Sequence, residues 1–121
     1  MAKHNDFGKR GELLARQFLE QNGYEILDEN WCYQKAEVDL IAYKNKTIIF
    51  IEVKTRSGNL FGAPEEFVDS KKQRLLSEAA EEYIYLMQHK GEIRFDIIAI
   101  LFDKKLENYK LRHIEDAFWN Y

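Results

Sequence analysis

The chain reads as an α/β domain, a mixed sheet of about five strands flanked by two main helices in the order αβββαββ. Three observations predict it. Apolar residues recur at helical spacing in two stretches, one near the N-terminus and one from about residue 70. Between and after these lie short runs rich in Ile, Val, Phe and Tyr, separated by polar turn residues. The third is size: 121 residues, 45% hydrophobic and 32% charged, can bury one core without staples and do not resemble a disordered chain. Residues 1–121 are therefore expected to form one domain.

Each element follows from its own pattern. The first helix is expected over residues 6–22, with Asn5 or Asp6 as N-cap and Gly23 as a left-handed stop. Phe7, Leu14, Ala15, Phe18 and Leu19 form its apolar stripe, and Glu12 borders that stripe. Taken alone, Glu12 is a first-turn glutamate favoured by the helix dipole. Residues 24–33 form a strand with loose alternation, at or near a sheet edge. Residues 37–43 and 47–54 follow as strands two and three, with a polar turn between them.

Residues 56–68 hold Gly58, Gly62 and the single proline, Pro64, and read as a loop. The second helix starts at Asp69 or Ser70, where Ser70 and Gln73 have capping-box spacing. Leu75, Leu76, Ala79, Ala80, Tyr83, Ile84 and Met87 give it an apolar face, and Gly91 ends the segment. Residues 93–102 are apolar on both faces beyond Asp96, so this strand belongs inside the sheet beside strand three. A last strand over 110–114 leads into a closing turn at Asp116, Ala117, Phe118 and Trp119.

Several function classes drop out at this stage. No apolar run approaches the roughly 20 residues of a membrane span, and the polar N-terminus is no signal peptide. Cys32 is the only cysteine, which excludes an intramolecular disulfide and fits a cytoplasmic protein. His4, His89 and Cys32 lack metal-ligand spacing, which argues against zinc. A net charge of -3 leaves nucleic-acid binding to local basic patches.

The chemistry concentrates between Ala36 and Arg56. Strand three is apolar from Ile48 to Ile51 and then carries Glu52 and Lys54. If Asn45 and Lys46 form a two-residue turn, or residues 44–47 a four-residue one, Tyr43 opposes Ile48, Asp39 opposes Glu52 and Glu37 opposes Lys54. A three-residue loop would instead send the two acids to opposite faces. In the even register two carboxylates about 5 Å apart repel, and a divalent cation between them relieves the repulsion. Oxygen ligands favour Mg²⁺ or Mn²⁺. Lys54, two residues beyond Glu52, could orient an attacking water or offset charge in a transition state. The plainer alternative is a cross-strand Glu37–Lys54 ion pair with Asp39 solvated, since such triplets are common on exposed strands.

The residues Glu37-Val38-Asp39-Leu40-Ile41 and Ile49-Phe50-Ile51-Glu52-Val53-Lys54-Thr55-Arg56 resemble those of the YraN-like proteins. That bacterial family is placed in the PD-(D/E)XK nuclease superfamily, near the archaeal Holliday-junction resolvases. The resemblance spans nearly the whole chain, including Gly8, Gly11-Glu12, Phe61-Gly62-Ala63-Pro64, Lys71, Ala79-Ala80 and Arg94-Phe95-Asp96. It implies a restriction-endonuclease-like sheet, with Asp39 as the strand-two acid and Glu52 and Lys54 as the Glu-x-Lys pair. It also implies Glu12 as a first-helix acid and the Val53 carbonyl as a further metal ligand. Ala36 departs from the glycine usual in the family.

Around this site, Arg56, Lys71, Lys72 and Arg74 are candidate nucleic-acid contacts. Lys71 and Lys72 sit in a helix first turn, where the dipole disfavours cations unless an anion is received there. Local pairing with Glu65, Glu66 and Asp69 is the plain alternative. Tyr33, Phe61 and Trp119 could stack on bases, but core packing is the first expectation for each. The expectation is thus Mg²⁺- or Mn²⁺-dependent hydrolysis of DNA, with branched or junction DNA as a candidate substrate and a homodimer as a candidate assembly. The competing expectation is an inactive nucleic-acid- or partner-binding module on the same fold.

Overall fold

The computed structural model describes residues 2–58 and 68–119, with side chains from Phe7 onward. The elements run α1 (Ala2–Gln21), β1 (Glu25–Tyr33), β2 (Ala36–Lys44), β3 (Thr47–Ser57), α2 (Ser70–Leu86), β4 (Glu92–Phe102) and β5 (Tyr109–Ile114). The five strands form one sheet in chain order, antiparallel throughout except for β3 against β4. This αβββαββ mixed sheet is the restriction-endonuclease-like arrangement expected from the sequence. None of the described helices is long and apolar enough to cross a membrane.

Each helix covers one face of the sheet. Ala15 and Leu19 of α1 pack on Leu40, Ala42, Ile49, Ile51, Ile98, Ile100 and Phe102, with Phe7, Leu14 and Phe18 at the margin. Leu76, Ala79, Ala80 and Tyr83 of α2 pack on Ile41, Ile48, Phe50, Phe95 and Ile97. Central strands buried on both faces explain the continuous apolar runs in β3 and β4, each enclosed isoleucine contributing about 1.5–3 kcal/mol. β1 is an edge strand, as its loose pattern suggested.

Helix boundaries depart from expectation in ways that capping explains. α1 begins at Ala2, so Asn5 and Asp6 lie inside the helix and do not cap it. Gly23 (φ 88°) does end it, in the left-handed region. At α2 the cap is Asp69, which accepts the Lys72 amide hydrogen at 2.8 Å. The Ser70–Gln73 capping box does not form, because Gln73 turns back to the Val68 carbonyl. Met87 is half-exposed beyond the helix and Gln88 (φ 53°) makes the left-handed stop, so Gly91 does not end α2. A Cβ at Gly91 would lie 2.5 Å from the Lys46 carbonyl, which shows what the glycine is for: β4 starts against the β2–β3 turn. The expected loop features Phe61, Gly62 and Pro64, and the acids Glu65 and Glu66, lie outside the described residues.

The turn that sets the β2–β3 register is the two-residue one, with Asn45 (φ 51°) and Lys46 (φ 64°) both left-handed. Tyr43 opposes Ile48, and the pairing continues to Leu40 opposite Ile51. There it stops. Val38 packs with Ile41 on the α2 side, while Leu40 and Ala42 pack on the α1 side. Residues two apart share a face in a regular strand, so the alternation slips once between Val38 and Leu40. Asn30 (φ 51°), opposite Asp39, marks the same interruption on β1, between the Glu29–Leu40 and Trp31–Val38 pairs.

The chain closes as expected. The Ala117 amide donates to the Phe95 carbonyl at 2.7 Å, Phe118 stacks on Phe95 and Trp119 meets its face edge-on. Trp31 stacks on Tyr33 and packs edge-on to Tyr83, so these rings are used for packing.

Candidate active site

The split between β2 and β3 exposes strand backbone, and Asp39 fills the gap. Its Oδ2 accepts the Val53 amide hydrogen at 2.8 Å, in place of a ladder bond. Within a strand the amide and carbonyl of one residue project to the same side, so the Val53 carbonyl is directed toward β2 as well. Glu52 and Lys54 alternate with Val53 and belong to the α2 side with Phe50.

Glu52 is only 3% exposed. Its Oε2 lies 2.6 Å from Lys72 Nζ and 3.7 Å from Lys54 Nζ. Its Oε1 is buried and has no hydrogen-bond partner among the described residues. A buried carboxylate oxygen left bare costs about 1–3 kcal/mol.

Electrostatics bind the acids into one group. Burial pushes the Asp39 carboxyl up to about 7, and the charges of Glu52 and Glu12 add to the effect against the Val53 amide and Lys72. Glu12 is raised by burial and then by Glu37, Glu29 and Glu52. Burial lowers Lys54, and neighbouring Lys72 lowers it further. Burial also opposes the charge of Lys72, but the bonds to Glu52 and Lys54 and the charges of Glu52 and Asp39 together outweigh it and raise Lys72 above the usual range.

Glu12 reaches this group because α1 comes very close to β3. A Cβ at Gly11 would fall 2.2 Å from Thr55 Oγ1, so only glycine permits the approach. A terminal amide atom of Asn30 lies 2.9 Å from Glu12 Oε1 and 3.2 Å from Glu37 Oε1. Both partners are acceptors, so that atom is the amide nitrogen. Glu37 therefore faces Glu12 and Asn30, and the expected Glu37–Lys54 pair does not form, because the ladder ends before it.

The structure thus brings together Glu12, Asp39, Glu52 and Lys54 from α1, β2 and β3. Lys72 joins them from the first turn of α2. Lys71 and Arg74 are exposed on that helix, and Arg56 is exposed near the end of β3, where its guanidinium donates to the Thr55 carbonyl. Lys35, Ala36, Glu37, Asp69, Lys71, Lys72, Leu75 and Leu76 line a groove of about 290 Å³ that opens beside Lys72.

Sequence reasoning missed two features. Asn30 carried no signal, since its role depends on a left-handed backbone opposite Asp39. The second is a polar network at the start of β4, where Arg94 grips buried Asp96 with two bonds of 2.9 Å. Asp96 also accepts from His113 (2.7 Å) and the Asp116 amide (3.0 Å). Asp96, His113 and Glu115 place one ligand atom each within 4.8 Å, a triad able to hold a metal ion. Arg94 already lies against both acids, 3.1 Å from Glu115. The strand position of His113, two residues from Glu115 and facing Asp96, was the available clue.

A family model described as "Uncharacterised protein family UPF0102" matches residues 11–100. The chain is 48% identical over 121 residues to a UPF0102 protein of Flavobacterium psychrophilum, covering 100% of each. It is 44% identical over 125 residues to one of Flavobacterium johnsoniae, again covering 100% of each. With one from Bacteroides thetaiotaomicron the identity is 41% over 119 residues, covering 98% of this chain and 97% of the relative.

Proposed function

The chain belongs to the UPF0102 family, and from that premise we propose that it is a divalent-metal-dependent phosphodiesterase acting on DNA. The observation that carries this reading is Glu52 Oε1, a buried oxygen without a hydrogen-bond partner among the described residues, beside a second carboxylate, Asp39. Like-charged groups held this close call for a cation, and an all-oxygen donor set suits Mg²⁺ or Mn²⁺.

Asp39 and Glu52 would hold the ion, with the Val53 carbonyl as a further ligand and Glu12 completing or supporting the set. The ion would supply a Lewis acid for the phosphoryl oxygen and a bound water of lowered pKa. Lys54, half-buried beside Glu52, would orient the attacking water and offset the negative charge that builds on phosphorus. Arg56, Lys71, Lys72 and Arg74 would meet backbone phosphates, with the first turn of α2 adding its amide dipoles. Branched or junction DNA is the favoured substrate, by the resemblance to junction resolvases, and a two-fold dimer would suit it.

The test is cleavage of linear, flapped and branched DNAs with Mg²⁺ and with Mn²⁺. Metal-dependent cutting by the wild type that disappears in Glu52→Ala and Lys54→Ala is expected. Wild-type protein that cuts no substrate in the panel refutes the enzyme reading.

One observation favours a second reading. Lys72 already neutralises Glu52 at 2.6 Å, so the acids are partly compensated without a metal. An inactive nucleic-acid-binding module would keep that pair permanently. Salt-sensitive DNA binding with no heat of Mn²⁺ binding would favour the module.

A further inference from the structure

Lys72 is in an unusual place for a lysine. It lies in the first turn of α2, where the helix dipole repels a cation by about 0.3–1 kcal/mol. Its neighbour Lys71 is exposed to solvent, but the Lys72 ammonium turns inward to Glu52 Oε2 at 2.6 Å. That is the shortest ion-pair contact to Glu52; Lys54, on the same strand, is 3.7 Å from the same oxygen. Both ammonium groups use Oε2, so Oε1 stays bare.

The charges explain the arrangement. Glu12, Asp39 and Glu52 carry up to three negative charges in a half-buried site, and Lys54 alone cannot balance them. Lys72 supplies the second positive charge from a different element, on a four-carbon stem with several rotatable bonds. A divalent cation at the same carboxylates would make that ammonium redundant and then repulsive. The groove beside Lys72, lined also by Lys35 and Lys71, gives the released side chain a solvent-facing position where a phosphate could meet it.

Resting on the metal-binding reading above, we propose that Lys72 is the resident counter-ion of the Asp39–Glu52 pair. A divalent cation displaces its ammonium from Glu52, and the freed lysine turns to the phosphate backbone. Lys72 and metal therefore compete for one carboxylate, and the free protein is guarded against weakly binding cations. Lys72 is a positioning residue in this scheme, acting on metal occupancy through Glu52.

The experiment is calorimetric titration of Mn²⁺ into wild type, Lys72→Met and Lys71→Met at fixed pH and salt, without DNA. Lys72→Met is expected to bind Mn²⁺ about tenfold more tightly, with Lys71→Met unchanged. A lysine that only contacts phosphate predicts no change in Mn²⁺ affinity, and a structural lysine predicts weaker binding; either result overturns the proposal. Should Lys72→Met fold poorly, a crystal of the wild type soaked in Mn²⁺ decides the matter. Lys72 Nζ withdrawn from Glu52 supports displacement, and Nζ still bonded to Glu52 beside bound Mn²⁺ overturns it. No Mn²⁺ uptake by any of the three proteins overturns the metal reading itself, and displacement with it. That outcome is distinct from equal Mn²⁺ affinities, which leave the metal reading standing.

Discussion

The Val53 amide donates to Asp39 Oδ2 at 2.8 Å across the place where β2 and β3 cease to pair. One carboxylate therefore ends a ladder and begins a site.

Asp39 titrates near 7 in the folded protein, against an ordinary 3.8. Its folded value lies above its unfolded value, so the folded state holds the proton more tightly. The associated stability is complete below about pH 4 and is lost as pH rises through 7. Urea denaturation in EDTA should show wild type losing about 2–4 kcal/mol relative to Asp39→Asn between pH 4 and 8. Parallel curves would show that Asp39 ionises without strain.

Gly11→Ala should destabilise the protein by about 1–3 kcal/mol, although alanine favours a helix more than glycine does. The new methyl would meet Thr55 Oγ1, so pairing the change with Thr55→Ala should recover much of the loss. Thermal melts of the single and double variants measure this. A neutral or stabilising single variant would mean that α1 does not pack this tightly on β3.

Asn30→Asp replaces an amide donor facing Glu12 and Glu37 with a third carboxylate. The variant should lose about 1–2 kcal/mol at pH 7, with the loss shrinking as pH falls and Glu12, raised by burial, takes up its proton. Its melting temperature should also respond more strongly to Mn²⁺ than that of wild type. Identical pH profiles would sink the bridging role.

Asp96→Asn should cost about 3–5 kcal/mol, because it strips a buried acid from Arg94 and His113. Burial tends to raise Asp96, but the bonds from His113, Arg94 and the Asp116 amide win and hold it below the usual range. That contribution is present above the unfolded value and fades as pH falls through the lower folded one. If Arg94 is the cation of this network, added zinc should leave the melting temperature of wild type unchanged. A zinc-dependent rise that Asp96→Asn removes would assign a metal to the triad instead.

Local physics made most of the fold legible. The Asn45–Lys46 turn and the apolar run 48–51 were enough to set the register down to Leu40 opposite Ile51. The two helices announced their buried faces through spacing alone, save Met87, which lies past the helix end. What failed was regularity. The register argument assumed an unbroken strand through Asp39, and therefore placed Glu37 against Lys54. The left-handed backbone at Asn30 and the slip beside Asp39 depend on three strands at once, which no single stretch encodes. Lys72 was visible as a cation in an unfavourable helix turn, but its partner Glu52 lies 20 residues away in sequence and is set by packing.

The parallel pairing of β3 with β4 also bears on how the chain emerges from the ribosome. All the acids and lysines of the site, from Glu12 to Lys72, precede β4, which begins at Glu92. Until β4 is synthesised, the nascent chain carries every charged group of the site but leaves one edge of an isoleucine-rich strand, β3, unpaired. Residues 92–121 contribute none of those charged groups, and β4 covers that edge. Truncations made to isolate the site should therefore aggregate rather than yield a minimal folded unit.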